Sequence, residues 1–462
     1  MKKKENINTV KDSLKSICLS TEQLKIKDMM NKHTFWINQY GTFALDKKEK
    51  ENFYKIANFI RNEYKNGDLA DVVSKKDIEN YLFELISKVI ILSTEEEKLE
   101  VIKNFEIDFD NQIEDQIKSY EILFPILALK IESRFSFGNI SFYPFSNYQL
   151  NKEMKFINKL HKQNKVVKED EKKEWIRVLR KQLSEYLTQS MVKCDVKGTI
   201  TASNLKSYND TLLHINVMKF LVYDFKTNSP TKDTIINEKQ HFETVMKTTN
   251  SFRTTEYLPI EFNFDLKNLN IFRTKKAISL KRILKKERKD DIDNRILSSI
   301  NWAVNSIEKA PTVTDESDFF DSSVYMTPNK HQLSQCLLNV VIAFETLLIF
   351  KKERSRKIEL LKYRSIALLD NTGFEDSFII EKINSAYKLR SEIVHEGKFN
   401  NTPVIVFQLY LFFRDIVFAL IVLKDKENIT TNDQLKKWFL MEVEFIKYKE
   451  NKSKFIEAKN NQ

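Results

Sequence analysis

An arginine and a histidine five positions apart, Arg390 and His395 in YKLRSEIVHEG (Tyr387 to Gly397), are the residues of this chain best suited to chemistry. An imidazole titrates near neutrality and moves protons in either direction. A guanidinium keeps its charge and forks two N–H donors onto an oxyanion. Ser391, a hydroxyl residue, follows Arg390 directly. On ideal helix geometry Ile383, Tyr387, Arg390 and Val394 fall within about 60° of one another, so Arg390 stands inside an apolar stripe. Ser391 and His395 lie about 100° and 140° from it, within an arginine's reach across a shared cleft. The pair is thus able to meet one phosphate. An arginine in such a stripe needs an acid, an aromatic ring or an anionic ligand.

Glu345 is the single charge within QCLLNVVIAFETLLIF (Gln335 to Phe350), a stretch apolar on almost every side. A carboxylate there must be paired, and Arg390 and Arg364 are the expected partners. One outcome is chemically inert: Arg390 pairs with Glu345 inside the domain, His395 caps its helix, and nothing turns over. The other histidines, His33, His161, His214, His241 and His331, are read as surface or core residues. Six scattered glycines exclude GxxxxGK and GxGxxG loops, and no HExxH occurs. Cys18, Cys194 and Cys336 show no metal-ligand or disulfide pattern. No metal or cofactor is expected, and the cysteine usage fits a reducing cytoplasm.

The formal net charge of +11 favours polyanionic partners. Much of the excess sits in IFRTKKAISLKRILKKERKD (Ile271 to Asp290), with nine basic residues against two acidic ones. Lys275, Lys276, Lys281, Arg282, Lys285 and Lys286 are candidate phosphate contacts. The apolar spacing of Leu280, Ile283 and Leu284 equally describes the solvated face of a packed helix, and both readings stay open.

These residues must be positioned by folded elements. With 462 residues, 42% of them hydrophobic, and only six Gly and seven Pro, the chain is expected to be mainly helical and to form more than one unit. Residues 1–290 read as an α+β region. It has helices at Tyr54–Glu63 and Ile78–Leu92, and an amphipathic one around Trp175. Its strands lie within Phe124–Phe145 about a turn at Gly138, within Val192–Ser203, and within Leu258–Phe272. Residues 291–425 read as an all-α domain with helices over Asp293–Ala310, Gln335–Phe350, Ile358–Asp370, Asp376–Glu396 and Pro403–Leu423. A polar loop with Pro311 and Pro328 separates the first two, and Gly397 is a stop signal. Residues 426–462 form a polar C-terminal helix and tail. The start, MKKKENINTV, lacks the apolar core of a signal peptide. The stretch Val404–Leu423 is long enough to span a membrane, but Arg414 and Asp415 at its centre suit a buried core or dimer-interface helix better.

YKLRSEIVHEG resembles the motif of the HEPN superfamily, an Arg, a polar residue, and a His after four to six positions. It is most similar to the Apea-like branch, whose motif follows a helix with an Ala-x-Glu-x-Leu core, here Ala343-Phe344-Glu345-Thr346-Leu347. Arg295 and Trp302 in NRILSSINW and Arg364 in LLKYRSIALL also look like that branch. The likeness covers about residues 291–425. More loosely, FPILALKIESRFSFGNISF and the helix around Leu212–Phe225 resemble the N-terminal region found with it. Ser391 stands where many relatives carry Asn, Asp or His, and Glu396 separates His395 from the usual Gly. The resemblance implies an all-α HEPN helical bundle after the α+β region. It implies metal-independent RNA cleavage by 2′-hydroxyl attack, with Arg390, Ser391 and His395 catalytic and Glu345, Tyr387 and Arg364 supporting. It also implies a homodimer with a composite site and a role in antiphage defence answering a phage or cellular trigger. The competing expectation is a non-catalytic RNA-binding or scaffolding protein using the basic segment.

Overall fold

The computed structural model describes residues 2–20, 34–62, 69, 72–127, 129, 131–163, 169–184, 187, 190–223, 242–247, 252–257, 260–262, 269–308, 330–351, 353, 355–370, 372–396 and 403–460. The chain is mainly helical with a small sheet. The loop holding Pro311 and Pro328, Gly397, and most of Leu258–Phe272 lie outside the described residues.

Two compact units divide the chain. The first comprises Met1–Leu123, Lys193–Asp210 and Glu243–Thr255, and the second comprises Phe124–Val192, Thr211–Phe242 and Glu256–Gln462. The cut therefore runs inside the 1–290 region and not at residue 290.

In the first unit, α1 (Lys2–Ser20), α2 (Lys47–Asn62), α3 (Lys75–Ile90), α4 (Glu95–Lys103) and α5 (Phe105–Gln116) enclose a core that includes Leu14, Phe53, Ile78, Leu82, Phe105 and Phe109. The hairpin β1 (Thr34–Asn38) and β2 (Gly41–Leu45) belongs to it. β3 (Lys118–Leu127) pairs antiparallel through Glu121–Leu123 with β7 (Phe242–Lys247).

In the second unit, β4 (Phe135–Phe137) and β5 (Ile140–Pro144) form the expected hairpin. Gly138 turns it with φ of 65°, and a Cβ there would stand 2.4 Å from His214 Nε2, so only glycine fits. β3 also pairs in parallel, at Ile126, with β9 (Ile260–Glu261). β6 (Ser190–Gly198) and β8 (Phe252–Tyr257) are the remaining strands. Extended structure was expected to run on to Ser203, and this is corrected. The strand ends at Gly198, and α8 (Ile200–Val222) follows. Thr199 caps the new helix by accepting the Ala202 N–H at 3.3 Å, so a cap overrides the β preference of Ile200 and Thr201.

α6 (Asn147–Gln163), α7 (Glu169–Ser184) and the basic α9 (Lys275–Lys285) precede the helical region that matters most here. It consists of α10 (Asp291–Glu308), α11 (Lys330–Leu348), α12 (Lys357–Leu369), α13 (Asp376–Ser391), α14 (Pro403–Glu427) and α15 (Asn432–Asn460). α11 is central, packing on α10, α12, α13 and α14. Its residues Leu337, Val340, Val341, Phe344 and Leu347 are buried, as the unbroken apolar run requires. α14 is the one helix among the described residues long and apolar enough to cross a membrane, and 61% of its most apolar window is buried inside the protein. Its central Arg414 donates to the Tyr223 carbonyl at 2.8 Å, and Asp415 lies 3.8 Å from Lys276.

Candidate active site at the end of α13

α13 buries Ile379, Ile383, Ala386 and Leu389, while Tyr387 and Arg390 are half-buried at the margin of that stripe. The stripe was expected to continue to Val394, but Val394 is exposed, as are Ser391 and His395. The cause is a change of winding. From Glu392 to Glu396 the helix opens into a π turn. In such a turn the backbone bonds i to i+5, so residues five apart approach one face, and such turns are frequent at functional sites. Arg390 and His395 are five apart, so the wider winding lessens the roughly 140° that separates them on an ideal α-helix.

Glu345, on α11, is paired as its position demands, but with neither expected arginine. The Tyr387 hydroxyl donates to its Oε1 at 2.7 Å, and the Lys357 ammonium donates to its Oε2 at 2.5 Å. Lys357 is the first residue of α12, reached through Arg356, whose φ of 57° is a left-handed conformation costing about 1–2 kcal/mol. Burial first, and then the bond to Glu345, pushes the Tyr387 phenol well above its ordinary pKa, so it remains a proton donor.

Arg390 consequently has no ion pair among the described residues. Its guanidinium lies 6.0 Å from the centre of the Tyr387 ring, a cation–π contact of about 0.5–1 kcal/mol at a partly exposed site. The half-buried charge is cradled by an aromatic face and is not neutralised by an acid.

Arg364 was expected to support Glu345 and instead serves another element. Only 2% exposed, it forks onto Glu353 at 2.6 and 2.7 Å and donates to the Leu348 carbonyl at 2.6 Å. Burial raises the Glu353 carboxyl, but hydrogen bonds from Arg364 and the Phe350 N–H, together with the charges of Arg364 and Lys436, outweigh this and hold it below its ordinary value. Arg295 donates to the Thr346, Leu347 and Ile349 carbonyls at 2.7, 3.2 and 3.0 Å and to Asn432 at 3.0 Å. Both guanidinium groups lie against the Phe350 ring, 4.5 Å away for Arg295 and 4.9 Å for Arg364. Two arginines therefore satisfy the carbonyls at the end of α11, where the helix dipole favours cations. Burial and then the nearby Arg364 lower the Arg295 pKa to about 10.

The basic segment is largely engaged within the protein. Lys276 meets Asp415 and the Phe418 ring, and Arg282 bonds Asp425 at 3.0 Å. Lys281 donates to the Phe272 carbonyl at 2.8 Å, and Lys286 bonds Asp293 at 2.6 Å. Of the six candidate contacts, Lys275 and Lys285 are exposed with no ion pair among the described residues. Lys276 and Arg282 of α9 thus pair with α14, and Lys286, just beyond α9, pairs with the start of α10. Among the described residues no three His, Cys, Asp or Glu side chains gather in one place, and the three cysteines are buried and free.

Sequence reasoning missed Lys357, twelve positions after Glu345 with no periodic relation to it, and it missed Glu353 and the π turn. A basic residue opening the next helix was the available signal for Lys357, but nothing distinguished it from its lysine-rich neighbours. No family model, curated protein or solved structure matches the chain.

Proposed function

We propose that this protein is an endoribonuclease of the HEPN type, cleaving RNA by 2′-hydroxyl attack without a metal ion, and that it acts as a toxic effector in antiphage defence. One observation carries the reading. The acid nearest in function to Arg390, Glu345, is already bound by Tyr387 and Lys357, which leaves the Arg390 guanidinium free for an anion beside the exposed Ser391 and His395. The inert arrangement, with Arg390 tied to Glu345, lacks that support.

The roles follow from the side chains. His395 takes the proton of the attacking 2′-hydroxyl as the O2′–P bond forms and the P–O5′ bond breaks. Arg390 neutralises charge growing on the phosphorus oxygens, and Ser391 orients them. The departing 5′-oxygen needs a proton from an acid, and the same histidine of a second copy supplies it in a homodimer with a composite site. The products are a 2′,3′-cyclic phosphate and a 5′-hydroxyl. The test is incubation of purified protein with total RNA in EDTA beside Arg390→Ala and His395→Ala. Cleavage that either variant abolishes is the expected result. Strict metal dependence, or cleavage unchanged in His395→Ala, contradicts the reading. RNA binding retained with no cleavage by the wild type would favour the scaffolding alternative.

A further inference from the structure

Lys357 belongs to the same polar group as Arg390, on a different helix. Its ammonium has three N–H donors, and the Glu345 carboxylate occupies one of them at 2.5 Å. The side chain remains 34% exposed, and the Glu345 carboxylate is the one partner of its ammonium among the described residues. Glu345 in turn holds the hydroxyl of Tyr387, and the ring of that tyrosine carries Arg390. A cation from α12 and one from α13 are thus linked through one carboxylate and one tyrosine. The carboxylate offsets only one of the two charges, and the helix that carries Arg390 ends in the exposed His395, an arrangement suited to a chain of phosphates more than to one.

We propose that Lys357 is a phosphate-binding residue of this site, holding an RNA phosphate beside the scissile one, with Glu345 as its counter-ion in the free protein. The assignment rests on the ribonuclease reading. Arg390, with its planar fork, takes the reacting phosphate, and Lys357, a point charge on a flexible stem, takes a neighbouring one. Glu345 then competes with the RNA for the Lys357 ammonium.

The competition gives a test that a merely structural role does not mimic. Binding of a short, mixed-sequence, uniformly 2′-O-methylated RNA, which has no attacking hydroxyl, is followed by fluorescence anisotropy from roughly 50 to 200 mM salt. Lys357→Met is expected to weaken binding by about tenfold. It should also reduce the slope of log K against log salt by about 0.7, the value for one single-strand phosphate contact. Lys357→Arg keeps the slope. Glu345→Gln, which frees the ammonium and retains an acceptor for Tyr387, tightens binding by about threefold. Thermal melting of each variant establishes that it is folded. An unchanged slope in Lys357→Met, or weaker binding in Glu345→Gln, overturns the proposal. If His395→Ala abolishes cleavage while Lys357→Met leaves the slope unchanged, this inference alone falls. If the wild type binds no RNA, the ribonuclease reading falls with it.

Discussion

Arg364 on α12 and Arg390 on α13 invite the same reading from sequence, each an arginine among apolar helix positions, yet their surroundings differ sharply. Arg364 is enclosed, with a bidentate carboxylate, a helix-end carbonyl, and the Phe350 and Phe439 rings at 4.9 and 5.2 Å. Arg390 is half-buried and, among the described residues, has the face of Tyr387 beside it and no ion pair. The difference lies in where the acids are spent. Glu353 goes to Arg364, and Glu345 goes to Lys357 and Tyr387. An arginine whose acid is in place is a structural clamp, and one whose acid has been taken by others is available to a ligand.

The sharpest way to break that comparison is to remove each guanidinium and ask which property fails. Arg390→Ala and His395→Ala are expected to lower RNA cleavage by about 10²–10⁴-fold while leaving the urea midpoint near the wild-type value. A large loss of stability in either variant would put Arg390 in the same class as Arg364. Arg364→Ala is the mirror case. It strands Glu353 and the Leu348 carbonyl, and should cost about 3–5 kcal/mol, read as a lower urea midpoint of the second unit.

Smaller effects sharpen the picture. Tyr387→Phe removes one hydrogen bond from Glu345 and should cost about 1 kcal/mol of stability. It should weaken cleavage less than Arg390→Ala does, because the ring beneath Arg390 is kept. Burial alone would raise the Asp290 carboxyl, but hydrogen bonds from Lys424, the Asp293 N–H and Lys286 hold it well below the usual range, and Glu353 is lowered likewise. Carboxyls lowered on folding stabilise the protein above their unfolded pKa values of about 4, and the contribution is lost as pH falls through the folded ones. The melting temperature should therefore be level from neutrality to about pH 5 and fall below about pH 4. A fall that began near pH 6 would implicate a histidine instead. The smallest effect is expected from Arg282→Ala, whose exposed pair with Asp425 is worth under about 1 kcal/mol.

Much of this arrangement was legible in the sequence because it depends on local periodicity. The run Gln335–Phe350 has no polar face, and it is indeed the buried centre of its helical group. Gly138 marked its hairpin because the turn needs a left-handed residue against His214. The partner of Glu345 was not legible. Arg390, Arg364 and Lys357 all lie on helices that pack on α11, and the choice among them depends on helix rotation and on the left-handed Arg356, features without a pattern in composition or spacing. The π turn was hidden for a related reason. SEIVHE has no residue that forbids an α-helix, so nothing in it marks the wider winding over Glu392–Glu396. The early end of β6 is intermediate, since Thr199 is a recognisable cap but stands before residues that favour strands.

The central claim is that Arg390 and His395 act on an RNA phosphate, and the chemistry of the product ends tests it most directly. Total RNA cleaved by the purified protein in EDTA should carry 2′,3′-cyclic phosphates and 5′-hydroxyls, and no such ends should form with His395→Ala. Fragments ending in 3′-hydroxyls and 5′-phosphates would contradict the account, because attack by the neighbouring 2′-hydroxyl does not produce them.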